Sequence, residues 1–144
     1  MDRTSKPIHT DTLPWMPLEP GVYARLLRLD GEDRTLQLKV DPGVTIAPHV
    51  HDGEVHAFGI AGHRRLGSGE IAGPGDYVYE PAGNRDTWTC IGDTPVVVQI
   101  TMTGAMTTVD AAGRAVGVTD TAGLRSLYLD WCAREGHAPV ALGA

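Results

Sequence analysis

Gly43–His56 reads GVTIAPHVHDGEVH and places three of the chain's six histidines within eight residues. Clustered imidazoles repel one another once protonated, so the grouping asks for a reason. Val44–His51 has the look of a short strand, and alternation puts Thr45, Ala47, His49 and His51 on one side of it, with Ile46, Pro48 and Val50 on the other. After the turn Asp52–Glu54, His56 opens a second alternating set with Phe58 and Ile60. If these two strands pair, all three imidazoles can converge on one point. Neutral imidazole is a common metal ligand near neutral pH, and a His-x-His pair on one strand face can fill two adjacent coordination positions. A solvated, histidine-rich hairpin is the plain alternative.

Outward from this stretch, the chain continues as short strands. Val22–Leu29 runs to the turn DGED, Arg34–Val40 alternates polar and apolar residues up to DPG, and Val55–Ala61 follows the histidine turn. Residues 62–75 show no clear pattern. Asp76–Glu80, Asp86–Ile91 and Pro95–Thr103 are further strands, and TTVDAAGRAVGV reads as a last hairpin. Eighteen glycines and ten prolines are spread through the chain as punctuation between them. After Asp120 the period changes: Leu124, Leu127, Tyr128 and Trp131 recur at helical spacing, and Gly136 is placed to stop a helix over about 121–135. Many strands followed by one helix predict an all-β antiparallel barrel or sandwich with a helical lid. Residues 1–12 are polar and expected to be loose.

The 144 residues suit one domain, and the formal charge of −6, with no Lys/Arg cluster, argues against nucleic acid or an anionic membrane as partner. Two distant cysteines, Cys90 and Cys132, form no zinc-knuckle spacing and fit a cytoplasmic protein with reduced thiols. The N-terminal residues have no apolar core of the kind a secretory signal needs, and no apolar run approaches the roughly 20 residues of a membrane span.

A second motif lies downstream, GDYVYEPAGNRD at Gly75–Asp86. With the first stretch it resembles the cupin pattern. The first cupin motif, G-x5-H-x-H-x(3,4)-E, is matched by Gly43, His49 and His51, with His56 where the motif, at its longer spacing, has Glu. The second, G-x5-P-x-G-x2-H, is matched by Gly75, Pro81 and Gly83, with Asp86 in place of the final His. Over most of its length, including LPWMPLEPGVYARLLRLD and TDTAGLRSLYLDWCAREG, the chain is similar to the 2,4'-dihydroxyacetophenone dioxygenase-like branch of the ChrR-type cupins. That resemblance implies a single jelly-roll barrel and a non-haem iron centre that inserts dioxygen and cleaves a carbon–carbon bond beside a ketone. It implies iron ligands at His49, His51 and the position of Asp86, and pairing of barrels as a homodimer.

The expected centre is one divalent transition metal per chain, Fe(II) favoured and Zn(II) possible, held by His49, His51 and Asp86 with His56 at or near bonding distance. Two histidines and one carboxylate form a facial triad suited to non-haem Fe(II); Asp86 as a mere turn residue is the alternative. Glu80, just before Pro81, is the second carboxylate candidate, as ligand or as partner to a ligand. Trp88 shares a strand face with Asp86 and Cys90 and is expected to wall a substrate pocket. Gln99 faces either solvent or that pocket and is its second candidate. Arg64 and Arg65 read better as surface residues than as anion-binding ones, and Glu54 as solvated. Three functions follow: an iron dioxygenase acting on a small aryl ketone or enolisable carbonyl compound, a redox-neutral metal-dependent cyclase, isomerase or lyase, and a non-catalytic metal-binding sensor. For the last, the sequence shows no preceding sigma-binding helical domain.

Overall fold

The computed structural model describes residues 3–140 and residue 142. Its strands are β1 (Met16–Glu19), β2 (Val22–Asp30), β3 (Asp33–Val40), β4 (Thr45–His51), β5 (Val55–Ala61), β6 (His63–Leu66), β7 (Ile71–Ala72), β8 (Tyr77–Glu80), β9 (Arg85–Ile91), β10 (Val96–Thr103), β11 (Met106–Val109) and β12 (Ala115–Thr119), followed by helix α1 (Thr121–Glu135). They form two six-stranded sheets in the orders β1-β2-β3-β10-β5-β8 and β12-β11-β4-β9-β6-β7, with every pairing antiparallel. This is the all-β antiparallel barrel with a C-terminal helix that the residue pattern predicts, in the jelly-roll form that the resemblance implies.

Alternation along each strand builds the interior. On β10 the inward residues Val96, Val98, Ile100 and Met102 are buried, as are Ala24 and Leu26 on β2 and Val55 and Ala57 on β5. Two positions, one in a turn and one within β5, show why glycine is needed. Gly62 bends at φ 69°, and a Cβ there would lie 2.4 Å from the Pro95 carbonyl oxygen. At Gly59 it is crowding that excludes a side chain, since its Cβ would meet the Gly73 carbonyl oxygen at 2.2 Å.

Three strands escape the sequence pattern: β1, β6 and β7. β6 has a buried Arg64 where alternation would show an apolar residue, and β7 is two residues long. At the N-terminus residues 3–9 are exposed, but Thr10–Thr12 form a 3-10 turn and Trp15 receives Arg25 and Lys39 over its ring, at 4.2 and 5.0 Å. Residues 1 and 2 of the expected loose segment lie outside the described residues.

Helix α1 begins where Asp120 caps it, its carboxylate accepting from the Gly123 amide at 2.7 Å, and ends at Gly136 in the left-handed region. Leu124, Tyr128, Trp131 and Cys132 are buried against the barrel. Arg34 ties the start of the helix down: its guanidinium donates to the Gly104 carbonyl at 2.6 Å and to Thr121 Oγ1 at 3.0 Å. Thr121 Oγ1 in turn donates to the Glu32 carbonyl at 2.7 Å. Among the described residues no helix is long and apolar enough to cross a membrane.

Candidate metal centre

A cavity of about 340 Å³ opens between the sheets beneath α1. Its wall is mostly apolar, with Leu36, Ile46, Trp88, Ile100, Met102 and Leu124 among its residues, and His49, His51, Glu80, Arg34 and Arg64 are its buried polar members. His49, His51 and Glu80 are gathered there: one ligand-capable atom from each lies within 4.8 Å of the others.

The two histidines reach this point through an irregularity in β4. Against β9, Ile46 pairs with Trp88 and His49 with Asp86, so β4 spends one residue more than its partner between these pairs. Pro48, which has no amide hydrogen for the ladder, sits inside this bulge. The strict alternation expected of the strand therefore breaks. Thr45 faces outward, its hydroxyl bonded to that of Thr89, whereas Ile46 and Ala47 both line the cavity. Two carbonyl groups of this segment accept side-chain hydrogen bonds. That of Ile46 accepts from Thr87 Oγ1 at 2.6 Å, and that of Ala47 accepts from His49 Nδ1 at 2.8 Å. A carbonyl can only accept, so Nδ1 of His49 carries the proton and Nε2 keeps its lone pair for a ligand.

The His51 ring stands nearly perpendicular to that of His49, at 88° with centroids 4.9 Å apart. Its Nδ1 is buried without any hydrogen-bond partner. Burial above all, then the neighbouring His49 and Arg34, lower its pKa to about 4, outweighing Asp86 and Asp52. His51 is thus a neutral imidazole near neutral pH. A buried, unbonded ring nitrogen beside a carboxylate is the donor set a divalent transition metal takes up.

Glu80 enters from β8, where Val78 and Glu80 turn inward and Tyr77 and Tyr79 outward. The following turn is clasped to the end of β4: the Gly83 amide donates to the His51 carbonyl at 2.8 Å. Asn84 Nδ2 donates to Glu80 Oε1 at 3.0 Å and fixes the carboxylate, leaving its other oxygen for the cavity. Burial first, then Asp86, raise the Glu80 pKa, against the Asn84 hydrogen bond and the charges of His49 and Arg64. His49, His51 and Glu80 together fit a metal of the two-histidine, one-carboxylate type.

Three of the expected positions require correction. His56 lies outside the barrel. β5 enters with Val55 and Ala57 inward, so His56 points out, where its Nδ1 meets the Tyr77 hydroxyl and its Nε2 lies 3.5 Å from Glu54. Gln99 faces the outer surface too, accepting from Gln37 Nε2 at 3.1 Å, because β10 turns its valines, isoleucine and methionine inward. Asp86 stands directly across from His49 in the β4–β9 register, half-buried, and its charge acts on His51, Glu80 and Arg64. It is nevertheless outside the gathered donor set, where Glu80 takes the carboxylate place. Trp88 does wall the cavity. Arg64, read from sequence as a surface residue, is buried and lines the cavity with its guanidinium 4.9 Å above the Trp88 ring. A lone Arg-Arg pair offers no signal for this, because only the parity of β6 decides which of the two points inward.

The family model of the ChrR cupin-like domain matches residues 4–106. The chain belongs to the ChrR cupin-like family. Among curated proteins none matches it. Among solved structures, an RmlC-like cupin protein from Ralstonia eutropha superimposes with a TM-score of 0.89 at 23% identity, covering 98% of this chain and 95% of that one. An acetylacetone dioxygenase from Acinetobacter johnsonii gives 0.75 at 17% identity, with 91% and 94% covered. The Rhodobacter sphaeroides complex of SigE with the anti-sigma ChrR gives 0.58 at 20% identity, with 65% of this chain and 50% of that chain covered. At these identities the structural likeness establishes the cupin fold.

Proposed function

We propose that this cupin is a metal-dependent dioxygenase acting on a small enolisable carbonyl compound. The observation that carries the reading is the gathering of His49, His51 and Glu80 at the wall of a mostly apolar cavity. A divalent transition metal held by these three residues would supply a Lewis acid and, as Fe(II), a redox partner for dioxygen. The chain's own groups prepare the site for it. The Ala47 carbonyl sets the tautomer of His49, burial keeps His51 neutral, and Asn84 orients Glu80. Leu36, Ile100, Met102, Leu124 and Trp88 give the same space an apolar wall that would hold an apolar substrate body. The likeness to an acetylacetone dioxygenase supports dioxygen chemistry.

Membership of the ChrR cupin-like family favours a second reading, a metal-binding domain without turnover. The test is metal analysis of protein made in unsupplemented medium, then reconstitution with Fe(II) or Zn(II) and exposure to a panel of 1,3-diketones and aryl ketones. Dioxygen uptake with Fe(II) alone supports the dioxygenase. Turnover without uptake replaces it by a redox-neutral enzyme, and metal binding without any turnover leaves the sensor reading.

A further inference from the structure

Two guanidinium groups line the cavity, and they differ in one respect. Arg34 is anchored through Nη1, which donates to the Gly104 carbonyl and to Thr121 Oγ1. Arg64 is as deeply buried, 4% exposed against 3% for Arg34, yet among the described residues its guanidinium makes no hydrogen bond and no ion pair. Its contact is the face of Trp88, 4.9 Å away, which satisfies the flat side of the group and leaves the in-plane N–H donors open. The charges that influence it are Asp86 and Glu80, neither of them in bonding contact. The guanidinium is removed from bulk water and its unbonded donors open only onto the cavity, where an anionic group of a ligand would meet them. Arginine's planar fork matches the two oxygens of a carboxylate.

We infer that Arg64 is a carboxylate-binding subsite of the cavity, so that the compound bound beside His49, His51 and Glu80 carries a carboxylate as well as its carbonyl group. The position suits this role. Arg64 stands on β6, across β9 from β4 and its histidines, and lines the same cavity, so one small molecule can span the fork and the donor cluster. Trp88 lies against the guanidinium, its ring centroid 4.9 Å from Cζ, and the apolar wall around them suits an aromatic acid. Arg34 is held in the wall through Nη1 by the Gly104 carbonyl and the start of α1, which sets Arg64 apart as the guanidinium with no protein acceptor.

The inference rests on the reading of the cavity as a substrate site, and binding tests it separately from catalysis. Benzoate and its uncharged counterpart benzamide serve as probes, titrated calorimetrically into the protein as isolated, with its metal content measured, and into the His49→Ala/His51→Ala variant. Benzoate should bind both forms at least 10-fold more tightly than benzamide does. Arg64→Met, which keeps apolar contact with Trp88, should lose that preference while retaining metal content, and Arg64→Lys should keep part of it. Equal binding of the two probes by the parent overturns the inference. So does a benzoate preference that survives Arg64→Met, or one that vanishes with the histidines and not with Arg64, since the metal would then hold the acid. Should Arg64→Met fail to fold, Arg64→Gln and Arg64→Lys decide by the same comparison. Absence of dioxygen uptake alongside an Arg64-dependent benzoate preference would overturn the dioxygenase reading and leave this one standing.

Discussion

His49 Nδ1 donates to the carbonyl of Ala47, two residues back on the same strand, at 2.8 Å. That carbonyl belongs to the bulge around Pro48, where β4 departs from regular pairing with β9. The bond sets the tautomer of a candidate ligand whose ring lines the cavity. Replacing Pro48 by Ala supplies an amide that can restore regular pairing with β9. Pro48→Ala should lower metal affinity about 10–100-fold, the range for losing the partner that orients a ligand. Competition with a chromogenic chelator measures it, and unchanged affinity would show that the bulge has no part in ligand orientation.

The candidate ligand set separates His49, His51 and Glu80 from His56, a ranking the sequence could not make. His49→Ala/His51→Ala should abolish metal binding while the far-ultraviolet circular dichroism of the barrel persists. Glu80→Gln keeps an oxygen for Asn84 but removes the charge, and its loss of affinity should exceed the roughly 10–100-fold of an outer partner. His56→Ala should bind metal like the parent, because that imidazole lies on the outer face between Glu54 and Tyr77. Metal content by plasma emission spectrometry distinguishes the three outcomes.

Asp86 faces His49 from β9 and acts through charge on Glu80, His51 and Arg64. As a neighbour of the donor set, its replacement by Asn should leave one metal per chain and shift affinity by no more than about 100-fold. It should also lower the Glu80 pKa, since the Asp86 charge is one of the causes raising it. Loss of stoichiometric metal in Asp86→Asn would return Asp86 to the ligand set.

The barrel was legible because alternation and glycine turns are local. Val55–Ala61 and the helix ending at Gly136 could be read directly, and both arise from patterns within a few residues. Inward or outward facing was legible only where the alternation runs unbroken. A turn of three residues between His51 and Val55 resets the parity, which is why His56 was expected inside and stands outside. Glu80 and Asp86 are both six or fewer residues from the same turn, and which of them reaches the histidines depends on how the Pro81–Asn84 loop is bonded to His51. Arg64 shows the same limit from the other side. A charged residue on a short, weakly patterned strand gives no local sign of burial, and only the pairing of β6 with β9 turns it toward Trp88.

Arg34 holds the first turn of α1 to the barrel through Thr121 and the Gly104 carbonyl. Arg34→Met removes both bonds and leaves those acceptors buried, so stability should fall by about 2–4 kcal/mol, from two hydrogen bonds to a charged donor. For a chain of this size that is a fall in Tm of roughly 5–15 °C. Thermal unfolding followed by circular dichroism at 222 nm checks it. A drop under about 2 °C would mean that Leu124, Tyr128 and Trp131 hold the helix without the arginine.

The pH dependence of stability follows from His51. Its pKa falls from 6.5 in the unfolded chain to about 4 in the folded one, mainly through burial. Between those values the unfolded state binds more protons than the folded state. The His51 contribution is therefore fully present above about pH 6.5 and is lost as pH falls toward 4, to a total of about 3 kcal/mol. Glu80 works in the opposite sense: its raised pKa makes the folded state take up a proton before the unfolded one, which favours folding as pH falls. The two effects overlap, so the parent alone does not isolate the histidine. Urea unfolding of parent and His51→Gln, at pH 7.5, 6 and 5 with chelator present, does. The parent should lose more stability than the variant over this range, with most of the difference between pH 6 and 5. Parallel losses in the two proteins would mean that His51 takes up its proton in the folded state as readily as in the unfolded one. Its ring nitrogen would then have a water or protein partner, and would not be the orphan that the metal reading needs.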